Sequence, residues 1–340
     1  MILIASVGPA TIKENYLQKI IVSGPDILRY NLSNDTPENN IENLKTITSA
    51  IEDNNSSIKL MVDFPSWRST FGDFIPRAFA VHEGDSFVFQ SATSSPDCNQ
   101  FIPVDVPKVG TNVQLEKIIP VYNGEVAIHV TEIIDENSFR ATFLNSGFIH
   151  SHRSIDISTE LDETTFLEFY RQLTQTVSSA SPQLVSLPQM EKTTLEKVLT
   201  IFAEFNWYPK IVSKVDKFLT PEELTKLCQE NFYRFLILDR GKLGINMPYQ
   251  KLGIYQKAVI KKAKENDKTI LVGSQILESV IKNNIPARSD INDLTNILMD
   301  GADGIVLCGE TSNTTRPIYA IAVAKKIITA VKNYQLLKQI

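Results

Sequence analysis

The feature that most restricts the fold of this sequence is a repeated alternation of short apolar runs with longer segments of helical period. The runs are rich in Val, Ile and Leu and predict strands, while the segments between them predict helices that cover a sheet. Strands separated in this way are parallel, so the pattern predicts the α/β class. We predict strands at residues 2–7, 26–32, 58–63, 183–187, 209–215, 235–240, 269–274 and 304–309.

The alternation stops after Asp63 and resumes about a hundred residues later. Between about residues 72 and 158 apolar and polar residues alternate, and the turn signals EGD, YNGE and NSG punctuate the segment. We interpret this segment as a small all-β domain inserted after strand three. It is expected to cover residues 71–155, while residues 1–70 and 156–340 form the main domain.

The number of strand–helix units distinguishes two architectures. Eight units in about 250 residues, with the insertion set aside, match a (β/α)₈ TIM barrel. An open, doubly wound sheet is the alternative. We expect the barrel.

Charge and composition exclude several classes of partner. The chain has 34 Lys and Arg against 39 Asp and Glu, a net charge of −5, whereas nucleic acids and anionic membranes require a basic face. Its three cysteines are too few for a disulfide framework, and no apolar run reaches the ~20 residues of a membrane span. The first residues lack the pattern of a signal peptide. We therefore expect a cytoplasmic protein that acts on a small molecule, with no nucleic-acid or membrane partner.

Polar residues at the ends of the predicted strands indicate where a site would lie. In barrels of this kind the active site lies at the carboxyl ends of the strands. The polar residues that fall at these ends are Arg29, Asn31, Ser33, Asp63, Lys214, Asp216, Asp239, Arg240, Lys242, Ser274 and Glu310.

Lys214 is the most informative of these residues because it interrupts the apolar run IVSKV. We expect it to point into a confined site, where an ammonium group supports proton transfer or contact with an anion. The alternative is a salt bridge to Asp216 at the end of the same strand. Taken alone, Asp216, Asp63 and Glu310 are each most often helix caps or structural pairs. Their convergence at one end of the barrel favours a functional site.

Several segments resemble motifs of the pyruvate kinase family, in the order in which that family has them. SVGPAT is similar to T-I-G-P-A-S, LRYNLSND to R-x-N-x-S-H-G, and IVSKVD to I-S-K-I-E. LDRGKLGINMP is similar to A-R-G-D-L-G-I-E-I-P, and DGADGIVLCGETSNTTRP to D-G-A-D-x-x-M-L-S-G-E-T-A-x-G-x-x-P. The resemblance runs from the first strand to the last helix, and the family also has a β insertion after strand three.

The resemblance implies a site where phosphoenolpyruvate binds at the barrel mouth, its phosphoryl group passes to ADP, and the enolate is protonated to pyruvate. Divalent and monovalent cations assist this reaction in the family. Lys214 matches the lysine that balances charge on the phosphoryl group and the enolate. Ser274 stands where the family has a threonine near the protonated carbon, so a hydroxyl is kept there.

The resemblance also assigns a monovalent cation and phosphate contacts. Arg29, Asn31, Ser33 and Asp63 match the residues around the monovalent cation and the phosphates. Phe64 follows Asp63 where the family has threonine, which leaves only the main-chain carbonyl as a ligand. The resemblance therefore leaves a place for K⁺.

The divalent site is where the sequence departs from the family. The family's Glu position is Asp216 here, and its Asp position, in R-G-D-L-G, is Lys242. Lys242 either pairs with Asp216 and occupies the position of the metal, or turns outward while Asp216 and substrate oxygens hold the metal. We favour the pair, because opposite charges in a confined cleft attract strongly. This departure puts a Mg²⁺ or Mn²⁺ site in doubt.

The remaining expected contacts to substrate or nucleotide involve Asn34, Arg68, Arg153 and Gly241. Arg68 is the match to a phosphate-contacting arginine, Asn34 replaces the histidine of S-H-G, and Arg153 supplies positive charge where the family has Lys-Lys-Gly-Val. The side that binds the phosphoryl donor is thus better kept than the side that binds the metal and ADP or ATP.

The C-terminal end of the sequence is relevant to regulation and to oligomer assembly. It ends just after the last predicted barrel helix, so we expect the family's C-terminal allosteric domain to be absent. A homo-oligomer remains compatible with the sequence.

Three functions are compatible with these residues. The first is pyruvate kinase-like phosphotransfer that is weakened or altered by Lys242. The second is a non-catalytic protein that binds phosphoenolpyruvate and serves a regulatory role. The third is a divergent, metal-independent lyase or transferase that uses an enolpyruvate. We expect an enzyme of the first kind.

Overall fold

The computed structural model describes residues 1–12, 16–66, 69–157 and 163–337, without the side chains of residues 9, 10, 34, 123, 245 and 246. The chain divides into two compact units. One unit joins Met1–Ser66 to Leu167–Ile340, and the other is Trp67–Phe166. The division expected from the sequence placed the boundaries after residues 70 and 155.

The first unit contains a closed barrel of eight parallel strands. The strands are β1 (Ile2–Val7), β2 (Ile27–Asn31), β3 (Lys59–Asp63), β4 (Leu184–Pro188), β5 (Lys210–Val215), β6 (Phe235–Asp239), β7 (Thr269–Gly273) and β8 (Gly304–Leu307). The predicted (β/α)₈ barrel is therefore confirmed, and the open sheet is wrong.

The pairing of β8 with β1 closes the barrel, with Ile2 opposite Gly304. A Cβ atom at Gly304 would lie only 1.9 Å from the carbonyl oxygen of Ile2. The close approach of the two backbones therefore requires glycine at this position.

The helices follow the strands in the expected alternation. They are α1 (Pro9–Ile12), α2 (Tyr16–Val22), α3 (Pro37–Asp53), α4 (Glu163–Ser178), α5 (Lys192–Glu204), α6 (Pro221–Gln229), α7 (Arg240–Asn246), α8 (Tyr249–Glu265), α9 (Arg288–Met299), α10 (Gly309–Ser312) and α11 (Pro317–Leu337). Short 3₁₀ turns cover Leu32–Asn34, Val109–Asn112, Tyr122–Gly124 and Glu278–Ile281.

Local sequence explains where two of these helices begin. Thr220 and Glu223 form a capping box at the start of α6, and Pro221 occupies the first helical position. The Thr36 hydroxyl accepts from the backbone N–H of Asn39 and caps α3 in the same way.

An apolar layer fills the centre of the barrel, and each strand contributes one buried residue to it. These residues are Ile4, Ile27, Met61, Leu184, Val212, Ile237, Leu271 and Val306. The barrel is therefore a packed core and not a pore. Any site in it must lie above this layer, toward the ends of the strands.

The second unit is all-β, apart from short turns and the first residues of α4. Its largest sheet has five strands in the spatial order Ile102–Val104, Ser86–Ser91, Ser138–Phe143, Val126–Asp135 and Ile118–Val121. Its own core is aromatic, and the rings of Phe89 and Phe139 stack 5.1 Å apart. A separate core of this kind is what an independent insertion needs.

No helix in the described part of the chain is long and apolar enough to cross a bilayer.

Candidate active site at the barrel mouth

The eight residues directly above the apolar layer are mostly polar, and we call them the mouth layer. Because side chains alternate along a strand, the residue two positions after each core residue also faces the barrel interior. The mouth layer consists of Ser6, Arg29, Asp63, Ser186, Lys214, Asp239, Gly273 and Cys308. An apolar floor with polar groups above it is the usual form of a small-molecule site.

Asp63 is the centre of the charged part of the mouth layer. The Arg29 guanidinium donates to one of its carboxylate oxygens, and the Lys214 ammonium lies 2.5 Å from the other. Asp63 is 2% exposed and Lys214 is 5% exposed. Two cations on one buried carboxylate leave a net positive charge in a confined space, which suits an anionic ligand.

This pairing sets the protonation of Asp63. Burial acts to raise the pKa of its carboxyl group, but the charges of Arg29 and Lys214 outweigh burial and hold the pKa at about 2. Burial likewise acts to lower the pKa of the Arg29 guanidinium, and the Asp63 carboxylate more than offsets it, so the pKa lies above its usual value. The carboxylate is therefore ionised throughout the physiological pH range.

Arg29 connects the charged cluster to the first and last strands. One of its nitrogens donates to the Ser6 hydroxyl at 2.9 Å and lies 4.0 Å from the Cys308 sulfur. Burial raises the pKa of the Cys308 thiol. Arg29 therefore lies inside the mouth.

The partner of Lys214 differs from one that the sequence suggested. Lys214 forms its ion pair with Asp63 and not with Asp216, and it also donates to the Phe64 carbonyl at 2.8 Å. The salt bridge to Asp216 considered as an alternative is therefore wrong. The physical reason is that the strands of a barrel send their side chains into one shared interior, so Lys214 on β5 reaches Asp63 on β3 past the intervening strand β4.

Asp216 is instead paired with Lys242, as the sequence favoured. The Lys242 ammonium lies 2.7 Å from the Asp216 carboxylate, and both side chains are largely buried. The same ammonium donates to the Ser66 hydroxyl at 2.6 Å. Ser66 also lies 3.4 Å from the Asp216 carboxylate. The pair therefore connects the ends of β3, β5 and β6.

Ser274 directly follows Gly273, the last residue of β7. Its hydroxyl donates to Asp239 at 2.8 Å, and Asp239 also accepts from the backbone N–H of Gly241 at 3.2 Å. A Cβ atom at Gly241 would lie 3.2 Å from the Ser274 hydroxyl oxygen. The glycine therefore allows α7 to begin close against Ser274.

The backbone around Ser274 is strained and is held by Arg240. Ser274, Gln275 and Leu277 all have left-handed backbone angles, which are costly for residues other than glycine. The Arg240 guanidinium donates to the carbonyls of Ser274 and Gln275 and pairs with Asp293 at 2.9 Å. This arginine thus fixes the segment that bears the Ser274 hydroxyl.

The expected cation ligands after β2 are bonded to one another. The Asn31 side-chain oxygen accepts from both the backbone N–H and the hydroxyl of Ser33, at 3.1 and 2.7 Å. Asn31 ends β2, two residues after Arg29. The two residues therefore lie at the mouth end of this strand.

Three of the expected contacts cannot be placed at the mouth. Arg68 lies outside the described residues, as does the side chain of Asn34. Arg153 belongs to the second unit, where its guanidinium lies 4.5 Å from the centre of the Tyr122 ring.

Glu310 is a buried carboxyl group beside the mouth layer. It lies in α10, is 2% exposed, and accepts from the backbone N–H of Cys308 at 2.7 Å. Burial raises the pKa of its carboxyl group to about 7. It therefore titrates near neutral pH.

Two groups at the mouth were missed by the sequence analysis. Ser66 was overlooked although it follows β3 closely, and its position after a strand end was the available signal. Ser186 is a mouth-layer residue whose buried hydroxyl has no hydrogen-bond partner in the described part of the chain. Its strand shows no motif that would have marked it.

Comparisons with known proteins agree on one family. A family model described as the pyruvate kinase barrel domain matches residues 1–321. The pyruvate kinase of Thermococcus litoralis is 23% identical over 338 residues, which is 98% of this chain and 70% of that protein. The pyruvate kinase of Thermotoga maritima is 24% identical over 329 residues, which is 96% of this chain and 69% of that protein.

Solved structures show the same fold. The crystal structure of a Cryptosporidium parvum pyruvate kinase has a TM-score of 0.85 at 21% identity, and the match covers 97% of this chain and 70% of that one. The crystal structure of the pyruvate kinase from Pyrobaculum aerophilum has a TM-score of 0.78 at 21% identity, covering 97% and 73%.

Proposed function

The chain belongs to the pyruvate kinase family, and we propose that its barrel mouth binds phosphoenolpyruvate, transfers the phosphoryl group and yields pyruvate. The observation that carries this proposal is the pair of cations, Arg29 and Lys214, on the buried carboxylate of Asp63. Fixed cations in a confined site stabilise the charge that develops on a transferring phosphoryl group and on an enolate.

The other residues of the mouth have matching roles in this proposal. Lys214 balances charge on the phosphoryl group and the enolate, and Arg29 binds the phosphate. The Ser274 hydroxyl lies near the carbon that is protonated. The Ser274 hydroxyl donates a hydrogen bond to Asp239, and Arg240 donates to the Ser274 carbonyl. Both bonds support a preorganised position of this hydroxyl.

The residues present do not fit a divalent cation of the usual kind. Mg²⁺ is generally held by one or two protein carboxylates, but the Asp216 carboxylate is engaged by the Lys242 ammonium at 2.7 Å. Among the described residues, no cluster of three or more His, Cys, Asp or Glu side chains is arranged for a metal ion. We therefore propose that Lys242 contributes a fixed positive charge in place of a divalent ion.

We propose that a monovalent cation binds beside the phosphate site. Asn31, Ser33, Asp63 and the Phe64 carbonyl all offer oxygen atoms, which are the ligands that K⁺ prefers. When bound, K⁺ would add positive charge beside the phosphate. Without K⁺ the Lys214 ammonium contacts Asp63 and the Phe64 carbonyl. These two groups therefore have a cationic partner whether or not K⁺ is bound.

The phosphoryl acceptor in this proposal is ADP, as in the family. Arg68, Arg153, Asn34 and Gly241 are the residues proposed to contact the substrate or the nucleotide. Because this side of the site departs most from the family motifs, we expect the transfer to ADP to be weak or altered.

A second function is favoured by the pair of Lys242 and Asp216. A protein that has lost its divalent ion can still bind phosphoenolpyruvate through Arg29 and Lys214 and act as a sensor without turnover. In that case phosphoenolpyruvate raises the melting temperature while no pyruvate is formed.

A coupled assay of pyruvate formation from phosphoenolpyruvate and ADP tests the proposal. It is run with K⁺ and with either Mg²⁺ or Mn²⁺ or a chelator, on the wild type and on Lys242→Asp. Lys257→Asp is the matched control, because Lys257 forms its ion pair on the surface, with Asp300.

We expect the wild type to form pyruvate and to keep this activity in the presence of chelator. The Lys257→Asp variant should have the same activity as the wild type, with and without chelator. Strict dependence on a divalent ion in the wild type would overturn the role proposed for Lys242 and leave the family reaction standing. Activity that is absent in the wild type and appears in Lys242→Asp with Mg²⁺ would favour the sensor.

A further inference from the structure

A hydroxyl, a carboxylate and an ammonium group meet at the barrel mouth, in the loop after β3. The Ser66 hydroxyl accepts from the Lys242 ammonium at 2.6 Å and donates to the Asp216 carboxylate over 3.4 Å. Ser66 is only partly buried, so a ligand has access to it. The family motifs do not account for this hydroxyl.

The position of Ser66 brings it close to the proposed phosphoryl site. Ser66 follows Phe64 by two residues, and the Phe64 carbonyl accepts from the Lys214 ammonium at 2.8 Å. Two residues of chain span at most about 7 Å. The chain therefore places Ser66 near the group that binds Lys214, and Asp216, which the Ser66 hydroxyl contacts, follows Lys214 by two residues.

The three groups have the chemistry of a phosphoryl acceptor. In protein kinases an aspartate accepts the proton of the substrate hydroxyl, and neighbouring cations stabilise the transferring phosphoryl group. Here Asp216 is bonded to the Ser66 hydroxyl, and the Lys242 ammonium lies against the same oxygen. A hydroxyl with an adjacent base is an activated nucleophile.

We propose that Ser66 is a phosphoryl acceptor of this protein, phosphorylated by phosphoenolpyruvate without a nucleotide. The inference rests on the proposed function, because that function supplies the phosphoryl donor. It goes beyond that function in making the chain its own acceptor, so that one copy of the protein consumes one molecule of phosphoenolpyruvate.

The step balances without a further reagent. The Ser66 oxygen forms a bond to phosphorus, and the bond from phosphorus to the enol oxygen of phosphoenolpyruvate breaks. The electron pair of that bond remains on the enolate, and the hydroxyl proton passes to Asp216. The enolate takes up one proton at carbon and becomes pyruvate, so the proton released by the serine is the proton consumed.

The charges around Ser66 favour the transfer. Lys242 is placed to pair with the new phosphate, whose hydrogen bonds to an ammonium are charge-assisted. Asp216 holds the transferred proton at that moment, so it is neutral and does not repel the phosphate. Loss of that proton to the enolate then completes the reaction.

Mass spectrometry of the full chain tests the inference. The protein is incubated with phosphoenolpyruvate in the absence of nucleotide, its intact mass is measured, and the modified residue is mapped by peptide fragmentation. Pyruvate is measured in the same sample. We expect one phosphoryl group on Ser66 and about one pyruvate per chain modified.

Variants separate the acceptor from its surroundings. Ser66→Ala should lose the modification, and Ser66→Thr should retain it because the hydroxyl is kept. Asp216→Asn should slow the modification at least tenfold, because the proton acceptor is removed. Ser181→Ala, at an exposed serine outside the mouth, should be modified like the wild type.

The outcomes distinguish this inference from the function on which it rests. If phosphoenolpyruvate raises the melting temperature or is converted to pyruvate with ADP while Ser66 stays unmodified, the inference is overturned and the proposed function stands. Modification at another residue also overturns it. If there is no binding, no turnover and no modification, both fail.

Discussion

The charged cluster at the barrel mouth gives a prediction that does not depend on the reaction. Asp63→Asn removes the carboxylate that balances Arg29 and Lys214, and leaves two cations side by side in a buried space. We expect the variant to fold with a much lower free energy of unfolding at pH 7.

Two estimates give the magnitude. The pKa of Asp63 is lowered from 3.8 to about 2, and at 1.36 kcal/mol per pKa unit this corresponds to about 2.5 kcal/mol of stabilisation. Removing one partner from a buried ion pair typically costs about 3 to 5 kcal/mol. We therefore expect a loss of about 2.5 to 5 kcal/mol.

The assay is urea denaturation followed by tryptophan fluorescence in a Trp67→Phe background, in which Trp207 of the barrel is the sole tryptophan. Asp300→Asn is the control, because that carboxylate pairs with an exposed lysine and should cost less than about 1 kcal/mol. Adding Lys214→Met to Asp63→Asn should recover part of the loss, because it removes one of the unbalanced cations.

The prediction also has a signed pH dependence. Because the pKa of Asp63 is lower in the folded protein, its contribution is complete above the unfolded value near 4 and is lost as the pH falls through about 2. The gap between the parent and Asp63→Asn should therefore narrow in acid. A variant within about 0.5 kcal/mol of the parent at pH 7, or a gap that does not change in acid, would refute the reasoning.

Three further predictions concern other parts of the barrel. The pKa of Glu310 is raised to about 7, so the free energy of unfolding of the wild type should fall by up to about 3 kcal/mol as the pH rises from about 4.5 through 7. Glu310→Gln should not show this fall. Equal urea midpoints for the two proteins from pH 5 to 8 would contradict the prediction. Arg240→Met should raise the rate of amide hydrogen exchange in residues 270–280 about tenfold or more, because hydrogen bonds to a charged donor contribute about 1.5 to 3 kcal/mol each. An unchanged exchange rate would contradict this prediction. Gly304→Ala should destabilise by about 3 kcal/mol because its Cβ would meet a carbonyl of the first strand at 1.9 Å, whereas Gly253→Ala, in an open helical position, should stabilise by about 0.5 to 1 kcal/mol; thermal denaturation compares the two.

The interior of the barrel could be predicted from local pattern. Each strand run has an apolar residue at its centre, and in several runs a polar or charged residue follows two positions later, as in Ile27 and Arg29, Met61 and Asp63, or Val212 and Lys214. A period of two is a property of the strand itself. It therefore places these polar residues in the barrel mouth without knowledge of the neighbouring strands.

The ion pairs between side chains of the mouth could not be predicted as reliably from the sequence. The sequence placed Asp216 nearest to Lys214 because the two are separated by one residue, but Lys214 pairs with Asp63, which lies 151 positions away. The pair of Lys242 and Asp216 was inferred only because each of the two residues stands at a position where the family has a metal-binding carboxylate. Ser66 was not singled out, although it contacts both members of that pair.

The sequence by itself determined the order of strands and helices, the inserted β segment and the end of the barrel at which polar side chains collect. Those properties follow from periodicity and from residues close together in the chain. The tertiary structure decided which charges meet, because the closure of eight strands brings β3, β5 and β6 together around one mouth. Electrostatic pairing depends on distances between side chains in space, and only the closed barrel sets those distances.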